Sequence, residues 1–219
     1  MSDLLIVIAN KKYSSWSLRG WIALKHLGLP FREHRIALDQ PNTGAEIRKY
    51  SPAGRVPVLV DDGLVVHESL AILEYLNENY AEESLLPVST ADRATCRAVS
   101  AEMHSGFANL RQNLPMALAR KHRPVAQTEA TRADILRILT LWEALREKHR
   151  TGGPYLFGSF SIADCMYLPV ATRFMTYEVD LTSYPRARAY TEALLAMPGY
   201  LEWKAEALKE TETRPEDDL

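Results

Sequence analysis

The chain has 219 residues, 47% of them hydrophobic and 25% charged, a composition that excludes a disordered or collagen-like chain and leaves room for two modest domains. A formal net charge of -2 at pH 7 supplies no global basic field, so neither nucleic acid nor a membrane is an expected partner and any bound anion needs a local site. Met1-Ser2-Asp3 and the short apolar run behind it lack the basic start of a signal segment and the length of a spanning one. Cys96 and Cys165 show no C-x-x-C spacing and no His/Cys cluster. Reduced structural thiols, a cytoplasmic location and no metal are expected.

The continuous apolar run Leu4 to Ala9 predicts a strand buried on both faces, ended by the polar stretch Asn10 to Ser15. From Ser17 the residues Leu18, Ile22, Leu24 and Leu27 return at helical spacing, and Gly28 followed by Pro30 predicts the stop. A second strand is expected within Phe31 to Leu38. Thr43-Gly44-Ala45-Glu46 has the spacing of a capping box opening a short helix. A third strand is expected from near Val56. Val58-Leu59-Val60, the turn Asp61-Asp62-Gly63 and Leu64-Val65-Val66 predict a hairpin, with a helix from about Ser69. This β-α-β-α-β-β-α order is thioredoxin-like: a parallel crossover followed by an antiparallel hairpin, covered by helices.

Past Ala81 the pattern changes, and no strand signal follows. The expected division is an α/β domain over 1–81, a linker over 82–89 containing Pro87, and an all-α helix bundle over 90–219. Its helices are expected at about 90–121, bent or divided at Pro115, then 126–149, 161–177, 186–197 and 199–209. The acidic end from Glu210 to Leu219 is expected to be a solvated tail without function.

Four local patterns carry chemistry. Tyr13-Ser14-Ser15-Trp16-Ser17-Leu18-Arg19 lies between the first strand and the first helix, where hydroxyls, open backbone N–H groups and the positive end of the helix favour an anion; serines there also serve simply as caps. Arg55-Val56-Pro57-Val58-Leu59 places a proline at the start of the third strand. His67-Glu68-Ser69 opens the third helix with an acid that suits an amine and a hydroxyl that suits a carboxylate. Phe160-Ser161-Ile162-Ala163-Asp164 is a capping box, with Ser161 as cap and Asp164 reciprocating, and its role is structural.

Together these patterns resemble the cytosolic glutathione transferase superfamily over essentially the whole chain, with a serine motif like that of the theta and zeta classes. The resemblance implies the glutathione transferase fold, glutathione as co-substrate and a homodimer. It implies Ser14 or Ser15, with Ser17 beside them, as the group stabilising the thiolate. It implies a cis Val56–Pro57 bond that turns the Val56 backbone toward the cysteinyl unit, Arg55 at the glycyl carboxylate, and Glu68 and Ser69 at the γ-glutamyl end. The electrophile pocket is expected between the domains at Trp16, Met103, His104, Phe107 and Arg111. Zeta proteins carry Ser-Ser-Cys-Ser where this chain has Trp16 in the cysteine position, and His104 lies one residue further from Arg111 than in zeta isomerases. The leading expectation is conjugation of glutathione to a small hydrophobic electrophile. The alternatives are glutathione-dependent isomerisation of the maleylacetoacetate or maleylpyruvate kind, dehalogenation, and a non-catalytic binding or regulatory module.

Overall fold

The computed structural model describes residues 3–122 and 124–214. Four strands and three helices alternate first: β1 (Leu4–Ala9), α1 (Ser15–His26), β2 (Arg32–Ile36), α2 (Thr43–Arg48), β3 (Val58–Asp61), β4 (Leu64–His67) and α3 (Ser69–Asn79). The sheet order is β2-β1-β3-β4, with β1 parallel to β2 and antiparallel to β3, and β3 antiparallel to β4. As a central strand covered on both faces, β1 has nowhere to place a polar side chain, which is why it is uniformly apolar. The β3–β4 hairpin turns on Asp62 and Gly63, both at positive φ (44° and 91°), as a tight two-residue turn requires.

Six helices follow: α4 (Thr90–Ser105), α5 (Ala108–Asn113), α6 (Glu129–Lys148), α7 (Ile162–Thr176), α8 (Pro185–Leu195) and α9 (Pro198–Ala207). Helix α7 is the hub: nearly all its residues are buried, and it packs against α1, α4 and α8. An apolar helix without a polar face is a core helix. Its start is the expected capping box, Ser161 with Asp164. Trp142 of α6 fills the space beneath it, 5.6 Å from the Tyr167 ring and 4.9 Å from that of Tyr190. Trp21 of α1 meets Trp203 of α9 at 5.2 Å, so the two halves of the chain share one core.

Three expectations need correction. The long helix is broken at Gly106–Phe107, before Pro115 is reached: Phe107 adopts a left-handed conformation (φ 55°) while Gly106 N–H closes the last turn of α4 on the Glu102 carbonyl. The capping box at Thr43 does not form. Asn42 is the cap residue, and the Thr43 hydroxyl faces backward, donating to the Ala37 carbonyl at 2.7 Å and accepting from Gln40 N–H at 2.9 Å. The segment 210–214 is docked on the first half of the chain instead of standing in solvent. Glu210 accepts from Lys11 N–H (2.7 Å) and Lys12 N–H (3.1 Å), Glu212 pairs with Arg35 (2.8 Å), and Arg214 pairs with Asp39 (2.5 Å). The remainder of the tail, 215–219, lies outside the described residues.

Candidate active site

Two helix N-termini, those of α1 and α3, open on one cavity of about 730 Å³. Its wall includes Ser14, Ser15 and Trp16 from the start of α1, Arg55, Val56 and Pro57 ahead of β3, and Glu68 and Ser69 at the start of α3. The helical half adds His104, Arg111, Pro115, Met116 and Arg173, and the docked tail adds Arg214. The Val56–Pro57 bond is cis.

Hydrogen bonding separates the three serines. Ser17 is fully buried and accepts from Ala9 N–H at 3.1 Å, tying α1 to the end of β1. Ser14 caps α1 by accepting from Ser17 N–H at 3.3 Å, and its own proton is directed at Ser17 Oγ, 2.7 Å away. Ser15 Oγ instead accepts from the Arg173 guanidinium at 3.3 Å. A hydroxyl that already accepts from a cation is a stronger donor, so Ser15 is the best placed of the three to give a hydrogen bond to an anion.

At the start of α3 the cap residue Glu68 has φ 70° and makes no side-chain cap bond, so the first N–H groups of this 11-residue helix lack a side-chain partner there. Ser69 Oγ beside them is buried and has no hydrogen-bond partner among the described residues. An unpaired hydroxyl at a helix N-terminus on a cavity wall suits a ligand carboxylate. The Glu68 carboxylate, 43% exposed, lies 3.7 Å from His104 Nε2. These are the polar partners that an amino-acid end group needs.

Across the cavity, His104 meets the Trp16 indole edge-on at 5.3 Å, and Arg111 stands 5.4 Å from the same ring. Burial, then the charge on Arg19, holds the His104 imidazole below its ordinary range against the opposing pull of Glu68. Both side chains reach the cavity, His104 from the last turn of α4 and Arg111 from α5 beyond the break at Gly106–Phe107. Met103 and Phe107 do not line it; both are buried in the core, where the left-handed turn at Phe107 points its ring. Arg173 and Arg214 carry no motif that marks them in the sequence. For Arg173 a weaker signal exists: apart from Asp164 of the capping box, it is the one charged side chain in α7, and it is 4% exposed.

No cluster of His, Cys, Asp and Glu among the described residues could hold a metal ion, and no described helix is long and apolar enough to cross a membrane.

Residues 13–79 match the family model of the glutathione S-transferase N-terminal domain, and residues 125–193 that of the C-terminal domain. A probable maleylacetoacetate isomerase of Caenorhabditis elegans is 30% identical over 188 residues, covering 85% of this chain and 86% of the relative. The chain belongs to the glutathione transferase superfamily. This transferase-family enzyme also superposes on the holo structure of a maleyl pyruvate isomerase, a bacterial zeta-class protein, with TM-score 0.72 and 25% identity over 95% of this chain and 100% of the other. A glutathione transferase homologue from Burkholderia, solved with bound glutathione, shares the fold at TM-score 0.72 and 22% identity, covering 96% of this chain and 100% of that one.

Proposed function

We propose that this enzyme binds glutathione in the cavity and uses its sulfur to isomerise a small cis-unsaturated carboxylic acid. The observation that carries the reading is the pairing, on one cavity, of a buried unpartnered Ser69 hydroxyl at the α3 N-terminus with the guanidinium groups of Arg111 and Arg173 beside Ser15.

Glutathione supplies the sulfur nucleophile that adds to the double bond and later leaves it, so no atom of the substrate is gained or lost. Glu68 pairs with the γ-glutamyl amine, Ser69 and the first amides of α3 hold its carboxylate, Val56 offers its backbone to the cysteinyl unit, and Arg55 takes the glycyl end. Ser15 donates its hydrogen bond to the ionised sulfur, with Ser14 as the alternative donor after rotation of its hydroxyl and Ser17 fixing the turn that carries both. Arg111 holds the substrate carboxylate, and Arg173 faces the negative charge that develops on the substrate as sulfur adds. Trp16, Pro115 and Met116 form the apolar side of the same cavity, which favours a second reading, conjugation of glutathione to a small hydrophobic electrophile.

The same reading includes a cytoplasmic location and a homodimer. Leu64 and Val65 on the edge strand β4 and the 95% exposed Val88 support a contact between two copies, and sedimentation tests it. It also includes the division into an α/β domain over 1–81 and a helical domain over 90–219.

Isomerisation of maleylpyruvate and conjugation of an aryl halide, measured side by side, test the function. Arg111→Leu is expected to lower kcat/KM for the acid about tenfold or more, roughly 1.4 kcal/mol of transition-state stabilisation, and to leave the aryl halide within about twofold. Ser15→Ala should lower both activities more than Ser14→Ala does. A wild type that conjugates the halide but does not turn over the cis acid leaves conjugation as the function. Absence of glutathione binding in calorimetry sinks both readings.

A further inference from the structure

One charge behind the cavity wall has no counter-ion among the described residues. Arg19 is 1% exposed, its Nε and Nη1 meet no hydrogen-bond partner, and no carboxylate among the described residues pairs with it. Helical side chains lean toward the helix N-terminus, and the Arg19 guanidinium accordingly lies back over the first turn of α1, stacked on the Trp16 indole at 4.2 Å. Trp16 lines the cavity and Arg19 does not, so the indole screens the cation from the space where a ligand sits.

The surrounding groups deepen the imbalance. Arg173 and Tyr167 from α7, Arg111 from α5 and His104 from α4 are the groups whose electrostatics reach Arg19, and Glu68 stands beyond His104. Burial, then the like charges of Arg173 and Arg111, pulls the guanidinium down to about 9, so it remains charged at neutral pH. A buried cation without a counter-ion is costly, and replacing such a group by an apolar one of similar volume commonly stabilises a protein. Its presence makes physical sense when the missing anion is a ligand.

We propose that Arg19, screened by Trp16, is the counter-charge of the sulfur anion bound at Ser15: a positioning residue that favours the ionised thiol across the Trp16 indole without touching it. The thiol proton leaves to solvent, and the guanidinium keeps its own. The idea rests on the glutathione reading above. It separates two tasks, with Ser15 providing the directional hydrogen bond and Arg19 a fixed field that needs no rearrangement when the charge forms.

Arg19→Met and Arg19→Gln remove the charge, and Arg19→Lys keeps it. Thiolate absorbance of enzyme-bound glutathione, titrated against pH, is expected to give a thiol pKa about one unit higher in the neutral variants, roughly a tenfold lower ratio of thiolate to thiol at a given pH. Arg19→Lys should stay within about 0.3 unit of wild type. Affinity for S-methylglutathione, which has no ionisable thiol, should not change. Without ligand, Arg19→Met should melt about 3–6 °C higher than wild type, the opposite of what loss of a structural residue does. A thiol pKa unchanged in both neutral variants, or a lower melting temperature with reduced S-methylglutathione binding, overturns the proposal. If wild type binds no glutathione, the glutathione reading fails first and takes this inference with it.

Discussion

Asp164→Ala tests whether the helix that carries Arg173 is fixed by its first turn. The Asp164 carboxylate is fully buried and accepts four hydrogen bonds: Ser161 N–H (2.8 Å), Ser161 O–H (2.7 Å), Leu156 N–H (3.1 Å) and Tyr190 O–H (2.8 Å). An alanine methyl accepts none of them. The two hydroxyls can turn toward other acceptors, but the two main-chain donors are held in place, and each buried donor left unpaired costs about 1–3 kcal/mol. A loss of about 4 kcal/mol is expected, near the upper end for a single substitution. For a chain of this length each kcal/mol lowers Tm by about 2–4 °C, so the variant should melt about 8–16 °C below wild type. Asp164→Asn keeps one acceptor oxygen but turns an amide toward one donor, and should lose about half as much. Thermal unfolding followed by circular dichroism, without ligand, reads the effect. A drop under about 3 °C for Asp164→Ala means the stranded donors have found other partners, and the reasoning is refuted.

Glu210→Gln weakens the two bonds that Lys11 and Lys12 N–H give to a carboxylate 7% exposed; a loss of about 1–2 kcal/mol and faster trypsin cleavage after Lys209 are expected, and unchanged cleavage would show that the tail is held by its other contacts. Burial is the largest cause holding His26, His104 and His149 below the ordinary imidazole range. The unfolded chain therefore takes up these protons first, and stability present above about pH 6.5 should decline as pH falls through that value. Urea midpoints between about pH 7 and 5 should fall less in His104→Asn than in wild type; equal slopes refute the contribution of His104. Gly153 has φ 120°, and a Cβ there would lie 2.7 Å from the Gly158 carbonyl oxygen, so Gly153→Ala should cost about 2 kcal/mol or more. A neutral effect in denaturant unfolding would mean that the loop relaxes freely.

The first half of the chain is readable because its signals are local. An unbroken apolar run marks a central strand, Asp62-Gly63 marks a turn that needs positive φ, and the serines and Glu68-Ser69 stand at helix N-termini whose distance along the chain is set by strand and hairpin lengths. What could not be read depends on residues far apart in sequence. Pro115 advertises a helix break because it lacks an N–H, whereas the real break at Phe107 is a left-handed residue held by the burial of its ring, which no local pattern announces. The Thr43 hydroxyl finds the Ala37 carbonyl instead of its own helix. The acidic tail looks solvated because its partners Lys11, Lys12 and Arg35 lie at the other end of the sequence.

The serine motif shows where locality stops for the chemistry. Resemblance puts Ser14 first and spacing to Arg19 puts Ser15 second, with Ser17 beside them; what divides them in the fold is Ala9 N–H on Ser17, Ser17 on Ser14, and Arg173, 158 residues away, on Ser15. A pattern of charge on apolar helices nevertheless singles out that partner. A charged side chain on a helix buried on every side must answer to something, because leaving it unbalanced is costly. In α7 this rule selects two residues, Asp164 and Arg173. The first is balanced by four donors at the helix start, and the second gives its hydrogens to the Leu114 and Pro169 carbonyls and to Ser15 on the cavity wall. In α1, ahead of its exposed last turn, the same rule selects Arg19 alone. With no anionic group among the described residues to balance it, the rule points to an anion that arrives with the ligand.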